Sequence, residues 1–168
     1  MNRPKMHMLV GPPYSGKSTF VKEELASLAA GDYPVPVIID SDSILVDMAE
    51  KANTSYNQSF LLNHKKASKE MFRRAEAAFK NGQDVYWDQT NMSRKARARK
   101  LIMVPDYYEK IAVVFPQLSA EELARRTALR TDKVIRQNII DDMIASYEAP
   151  ELSEGFDKIV LQGSGQHA

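Results

Sequence analysis

The chain has no cysteine, which excludes a disulfide framework and a thiolate metal site and gives no reason to expect an oxidising compartment. A reducing cytoplasm, that of the host if the chain is phage-encoded, is the expected setting. Long apolar runs are also missing. Nothing approaches the roughly 18 consecutive apolar residues of a membrane span, and the run MHMLV behind the basic N-terminus falls short of the roughly seven-residue core of a signal peptide. The sequence thus predicts a soluble protein without a membrane partner. Charge of one sign is lacking too: 23 Lys and Arg face 22 Asp and Glu, a formal net charge of +1. Any contact with nucleic acid must therefore come from local patches. No internal repeat is visible.

At 168 residues, 43% of them hydrophobic, the chain holds one well-buried core and is too short for two ordinary domains. A single domain over residues 1–163 is expected. The polar, Gly-rich tail at 164–168 is expected to be poorly ordered.

Short apolar runs alternate with longer segments of helical period, the pattern of a parallel sheet with helices on its faces. Strands are expected at residues 6–10, 35–40, 84–88, 110–115 and 157–162. Helices are expected to begin at the loop before Phe20, with Phe20, Val21, Leu25 and Leu28 on one side, and over residues 57–82, where Asn81 and Gly82 act as a stop signal. A third should open at Ser119, with Glu122 completing a capping box. A fourth should run up to Pro150 and bury Ile135, Ile139, Met143 and Ile144.

The stretch GPPYSGKST fills the first strand-to-helix junction: Gly11, Pro12, Pro13, Tyr14, Ser15, Gly16, Lys17, Ser18 and Thr19. It satisfies G-x-x-x-x-G-K-[ST]. Such a loop holds phosphate because backbone N–H groups and the positive end of a helix dipole converge there. Lys17 is expected on the β and γ phosphates of ATP and the Ser18 hydroxyl on Mg²⁺. No Asn-Lys-x-Asp stretch for reading guanine occurs, and the chain is too short for a motor core, so a small phosphotransferase is favoured.

Three further clusters bear on the acceptor. The second strand runs into DSDS, and a carboxylate at that strand end, either Asp40 or Asp42, can take the proton of an attacking hydroxyl. One of these residues, or a neighbouring serine, is expected to cap the following helix instead. The third strand leads to DQTN, where Asp88 suits a Mg²⁺-shell carboxylate and Thr90 and Asn91 place short polar groups at the strand exit. The basic stretch Arg94, Lys95, Arg97, Arg99 and Lys100 offers contacts to phosphate. Farther on, Arg126 and Arg130 lie four apart on one helical face, with Lys133 shortly after, as residues that would neutralise a transferring phosphoryl group from a closing lid.

With these residues in place, the chain resembles the small P-loop kinases related to the 5′-hydroxyl polynucleotide kinase of bacteriophages, a group that includes zeta-type toxins. The resemblance runs from about Met6 to Pro150 and rests on GPPYSGKST, DSDSI, DQTN with its basic helix, and the lid arginines followed by DKVIRQNIIDDM. It implies a P-loop NTPase three-layer α/β sandwich with a five-stranded parallel sheet and a helical lid. It also implies Asp42 as the base and Arg130, with Arg126 nearby, over the β and γ phosphates. Three positions depart from the phage pattern. Leu45 replaces an Arg that grips the acceptor phosphate, Gln89 stands before Thr90 with the acid moved to Asp88, and Arg136 replaces a Pro after the lid. The implied acceptor is a nucleic acid, DNA first, or a nucleotide. The alternatives are the hydroxymethyl group of 5-hydroxymethyluracil within phage DNA, with Tyr14, Tyr56, Phe60 or Trp87 stacking on the base, a small metabolite or amino sugar, and a non-catalytic nucleotide-binding module.

Overall fold

The structure is a computed structural model that describes residues 2–130 and 135–163; Lys133 and the tail at 164–168 lie outside them. Five strands form: β1 Lys5–Val10, β2 Val37–Ile39, β3 Val85–Trp87, β4 Glu109–Val114 and β5 Lys158–Leu161. All pair in parallel in the order β2-β3-β1-β4-β5. The second strand is shorter than the expected 35–40. Pro36 has no N–H to give to a ladder, and pairing starts where the Val37 N–H donates to the Asp84 carbonyl at 2.8 Å.

Side chains alternate across the sheet with period two, as a pleated strand demands. Met6, Met8 and Val10 of β1, Val85 and Trp87 of β3, and Ala112 and Val114 of β4 share one buried cluster. Leu9, Tyr86, Ile111 and Val113 share the other. Both faces must therefore be covered, as in all-parallel sheets generally. Helix α1 (Lys17–Ala30) covers the second cluster through Val21, Phe20 and Leu25. Helices α2 (Asp42–Ala52), α3 (Tyr56–Lys80) and α4 (Arg94–Leu101) cover the first, with Leu45, Met71, Phe79 and Leu101 among their buried residues.

The remaining helices, α5 (Ala120–Leu129) and α6 (Gln137–Ala145), each bury a single residue, Leu123 and Ile140. Here the expected apolar face of the last helix is corrected. Ile139 and Ile144 are 40% and 36% exposed, because a nine-residue helix touches the body at one position, Ile140, rather than along a stripe. Ser119 does cap α5 by accepting from the Glu122 N–H at 3.1 Å. The Glu122 carboxylate does not return the bond and pairs with Arg125 and Arg126 instead. Among the described residues, no helix is long and apolar enough to cross a membrane.

Central β1 has β3 on one side and β4 on the other. The chain crosses over β1 between those two strands, so the carboxyl end of β1 opens at a switch point, where open α/β sheets bind ligands.

Candidate active site

The phosphate loop leaves β1 at that end and is held from both sides. The Gly11 N–H donates to the Thr90 carbonyl at 3.0 Å, and the Ser15 N–H closes a turn onto the Pro12 carbonyl at 3.3 Å. Gly11 is sterically required, since a Cβ there would stand 2.8 Å from Ser15 Oγ and 2.9 Å from Phe115 Cβ. Gly16 sits at φ 98°, a left-handed conformation open to glycine, and serves as N-cap of α1 without any side-chain cap. No acid stands in the first turn of α1. Its amino end thus presents backbone donors and a positive dipole with no resident counter-charge, which suits an anion.

Lys17 is 8% exposed. Its ammonium lies inside the loop and donates to the Gly11 and Pro12 carbonyls at 2.9 and 2.7 Å and to Ser15 Oγ at 3.4 Å. Loop and lysine form one cradle, in which a phosphate would exchange carbonyl partners of Lys17 for its own oxygens. Ser18, exposed, and Asp88, half-buried at the exit of β3, are the oxygen donors of this end of the sheet that suit a hard cation such as Mg²⁺. The Asp88 N–H extends the sheet by donating to the Ile39 carbonyl at 2.8 Å.

The two acidic candidates after β2 separate by role. Asp40 accepts from the Ser43 N–H at 2.6 Å and from the Ser43 hydroxyl at 2.9 Å, so it satisfies the start of α2. Ser41, nominally the N-cap, makes no cap bond with its side chain and instead accepts from Gln89 Nε2 at 3.1 Å. Asp42 opens α2 and accepts from the Tyr56 hydroxyl at 2.7 Å. Burial first, and then this hydrogen bond, push the Tyr56 phenol far above its ordinary pKa, which keeps it a neutral donor to Asp42. The sequence reading missed this partnership and gave Tyr56 only a stacking role; the two residues are 14 apart and meet only because α2 and α3 form a hairpin.

The DQTN stretch and the basic helix serve the scaffold more than the surface. Asn91, 2% exposed and at φ 47°, donates to the Leu9 carbonyl at 2.7 Å and so ties the end of β1 to the turn after β3. Its Oδ1 accepts from the buried Lys100 ammonium. Arg97 has no exposed surface. It pairs with Glu154 at 2.8 and 3.1 Å and donates to the Asn91 and Met92 carbonyls. Neither Asn91 nor Arg97 can meet an acceptor as the sequence suggested, because both side chains are spent inside the protein. Of the remaining acceptor candidates, Arg94 is exposed and paired with Glu151 at 2.6 Å, and Thr90 is half-buried with its carbonyl on the loop. Trp87, with 0% exposure, lies edge-on to Phe72 in the core and is no stacking platform.

The two arginines expected on a lid, Arg126 and Arg130, both reach Tyr14 of the loop. Arg126 is braced by Glu122 at 2.6 Å and donates to the Tyr14 carbonyl at 2.6 Å. Arg130 does not share the helical face of Arg126 as expected, because α5 ends at Leu129 and Arg130 is its extended C-cap; its guanidinium stands 5.4 Å from the centre of the Tyr14 ring. Hydrogen bonds from Arg125 and Arg126 hold the Glu122 carboxyl down at about 2, so the brace stays ionised at neutral pH. Phosphate loop, Asp42, Asp88 and α5 thus gather at the carboxyl ends of β1, β2 and β3.

Residues 6–150 match the AAA_33 family, described as an AAA domain. The chain belongs to the AAA_33 family of P-loop kinases. It is 24% identical over 161 residues to the transcription factor bHLH140 of Arabidopsis thaliana, covering 92% of this chain and 15% of that one. Among solved structures it is similar to the Pnkp1/Rnl/Hen1 RNA repair complex, with a TM-score of 0.65 and 24% identity over 87% of this chain and 44% of that one. It is also similar to the PezAT chromosomal toxin-antitoxin system of Streptococcus pneumoniae, with a TM-score of 0.67 and 17% identity over 96% and 67% of the two chains. These likenesses establish the fold, an α/β P-loop NTPase with a five-stranded parallel sheet. The AAA_33 chain spans less than half of the RNA repair protein and about 15% of the Arabidopsis relative.

Proposed function

We propose that this AAA_33 chain is an ATP- and Mg²⁺-dependent kinase that moves the γ-phosphoryl group to a hydroxyl on a nucleic acid. The observation that carries the reading is the division of labour after β2: Asp40 is bound into the start of α2, while Asp42, at the same end of the sheet as the phosphate loop, has a neutral phenol on one oxygen. A module that only bound nucleotide would need neither a base nor arginines reaching the loop.

In the proposed step the acceptor O–H gives its proton to Asp42 as its oxygen attacks the γ phosphorus in line. A new O–P bond forms, the bond from the γ phosphorus to the β–γ bridging oxygen breaks, and ADP leaves. Lys17 and the loop N–H groups would hold the donor phosphates, and Arg126 and Arg130 would neutralise charge spreading over the transferring group. Ser18 and Asp88 would hold Mg²⁺, which supplies charge neutralisation on the β and γ oxygens.

A second acceptor rests on Leu45. This side chain is buried in the core, so the position that grips a terminal phosphate in the phage enzymes offers no polar group here. That favours an internal hydroxyl, such as the hydroxymethyl group of 5-hydroxymethyluracil in DNA. Labelled γ-phosphate transfer decides among the acceptors when run in parallel on three of them: a 5′-hydroxyl oligonucleotide, a 5′-blocked DNA carrying 5-hydroxymethyluracil, and a mixture of sugars and polyols. Label on either nucleic acid supports the proposal and names the hydroxyl. Label on the sugars alone overturns the nucleic-acid acceptor, and label on none overturns the kinase.

A further inference from the structure

The longest helix carries an apolar stripe that outruns the core. Helix α3 has 25 residues, about 37 Å, and from its middle onward Ala67, Met71, Ala75 and Ala78 are buried in the core. Phe60 and Ala67, like His64 and Met71, are seven residues apart and so lie within about 20° of each other on a helix. The same stripe therefore continues toward the amino end as Tyr56, Phe60 and His64, where Tyr56 is half-buried against the core and the other two rings are open to solvent. Phe60 leaves 45% of its surface exposed, and His64 is exposed as well.

These three rings form a ladder. The Tyr56 and Phe60 centroids are 6.4 Å apart with planes 30° from parallel, and those of Phe60 and His64 are 5.4 Å apart and 23° from parallel. The ladder begins at the candidate base, since the Tyr56 hydroxyl is the group that donates to Asp42. Its far end is fixed by His64 Nδ1, which donates to the Phe60 carbonyl at 3.0 Å. The helix around it carries charge of one sign. Residues 56–69 include Lys65, Lys66 and Lys69 and no acid, and none of those lysines forms an ion pair among the described residues.

We infer that Tyr56, Phe60 and His64 form a stacking platform for the bases of a single-stranded nucleic-acid acceptor, leading its reactive hydroxyl to Asp42; the inference rests on the proposed kinase function. Bases stack on aromatic faces without regard to sequence, and the lysines would attract the backbone. Tyr56 to His64 spans eight residues of helix, about 12 Å, so the platform accommodates roughly three nucleotides.

The test pairs phosphoryl transfer with direct binding. Wild-type protein, Phe60→Leu, Phe60→Tyr and Leu62→Ala are compared with 5′-hydroxyl 2-aminopurine oligonucleotides of one to eight nucleotides. Leu62 is 77% exposed and lies off the stripe. The expected result is 2-aminopurine quenching on binding, affinity that rises up to about four nucleotides and then levels off, and a KM for oligonucleotide raised about 5- to 50-fold in Phe60→Leu. In the same series kcat and the KM for ATP should hold, Phe60→Tyr should restore affinity, and Leu62→Ala should match wild type. Transfer to oligonucleotides with Phe60→Leu unchanged would overturn the platform and leave the kinase reading intact. Equal losses in Phe60→Leu and Leu62→Ala would mark a general disturbance of the helix and also overturn it. A wild-type protein that neither binds nor phosphorylates any of these oligonucleotides would overturn the platform, while the kinase reading falls only if the 5-hydroxymethyluracil DNA takes no label either.

Discussion

Arg126 and Tyr14 are 112 residues apart in the chain, yet the arginine Nη1 donates to the Tyr14 carbonyl at 2.6 Å. Glu122 holds the other side of the same guanidinium, so α5 is fastened to the middle of the phosphate loop by one side chain with a fixed orientation. The fork geometry of arginine is what permits both contacts at once.

Replacing Arg126 with alanine removes that fastening and one cation from the proposed phosphoryl site. The expected outcome is a fall in kcat of about 100-fold, with a smaller change in ATP affinity. Arg126→Lys should recover little, because an ammonium cannot serve Glu122 and the loop together. Steady-state kinetics with varied ATP check both variants.

Asp40→Ala should act on stability. It deprives the Ser43 N–H and hydroxyl of their acceptor, the kind of cap whose loss costs about 1 kcal/mol. Thermal unfolding should show a midpoint lower by roughly 2–4 °C.

The Arg97–Glu154 pair is a buried tie between α4 and the C-terminal 3₁₀ turn, Leu152–Glu154. Arg97→Met would leave a buried carboxylate unpaired, at a cost of about 3–5 kcal/mol and roughly 10 °C of midpoint. Burial opposes ionisation of Glu154, but bonds from Arg97 and the Glu151 N–H outweigh it and hold the carboxyl below its ordinary range. The stabilisation is therefore complete above the unfolded carboxylate value of about 4.3 and is lost as pH falls through the lower folded value. Urea titrations at pH 7 and pH 3 should show wild type and Arg97→Met converging at the acid end.

Much of this was legible in the sequence, and the limits have physical causes. The strands appear as runs of alternating or wholly apolar residues because both faces of a parallel sheet are buried, and the phosphate loop appears because its glycines and lysine are fixed in spacing by local geometry. Arg97 and Lys100 were misread for the opposite reason. A charged residue in a basic run carries no local mark of burial; what turned these two inward was Glu154, 57 residues away from Arg97, and the Asn91 side chain. The difference between Asp40 and Asp42 was likewise closed to the sequence, since both follow the same strand and only their partners, Ser43 for Asp40 and Tyr56 for Asp42, distinguish them.

Lys100 gives a test of that hidden interior. Burial, with the neighbouring Arg99 charge adding to it, pushes its ammonium down to about 7, against about 10.4 in an unfolded chain. Between about pH 7 and pH 10 the unfolded state binds the extra proton, so stability rises with pH across that window. Below it both states are protonated and the slope vanishes. The urea midpoint of wild type should climb from pH 6.5 to pH 9 more than that of Lys100→Met.

The most direct test of the central claim is single-turnover transfer from labelled ATP to the best acceptor by wild type and Asp42→Asn, with ATP affinity measured on both. The account predicts equal ATP binding and a transfer rate about 10²- to 10⁴-fold slower in Asp42→Asn. Transfer at the wild-type rate in Asp42→Asn would contradict it and remove Asp42 as the base.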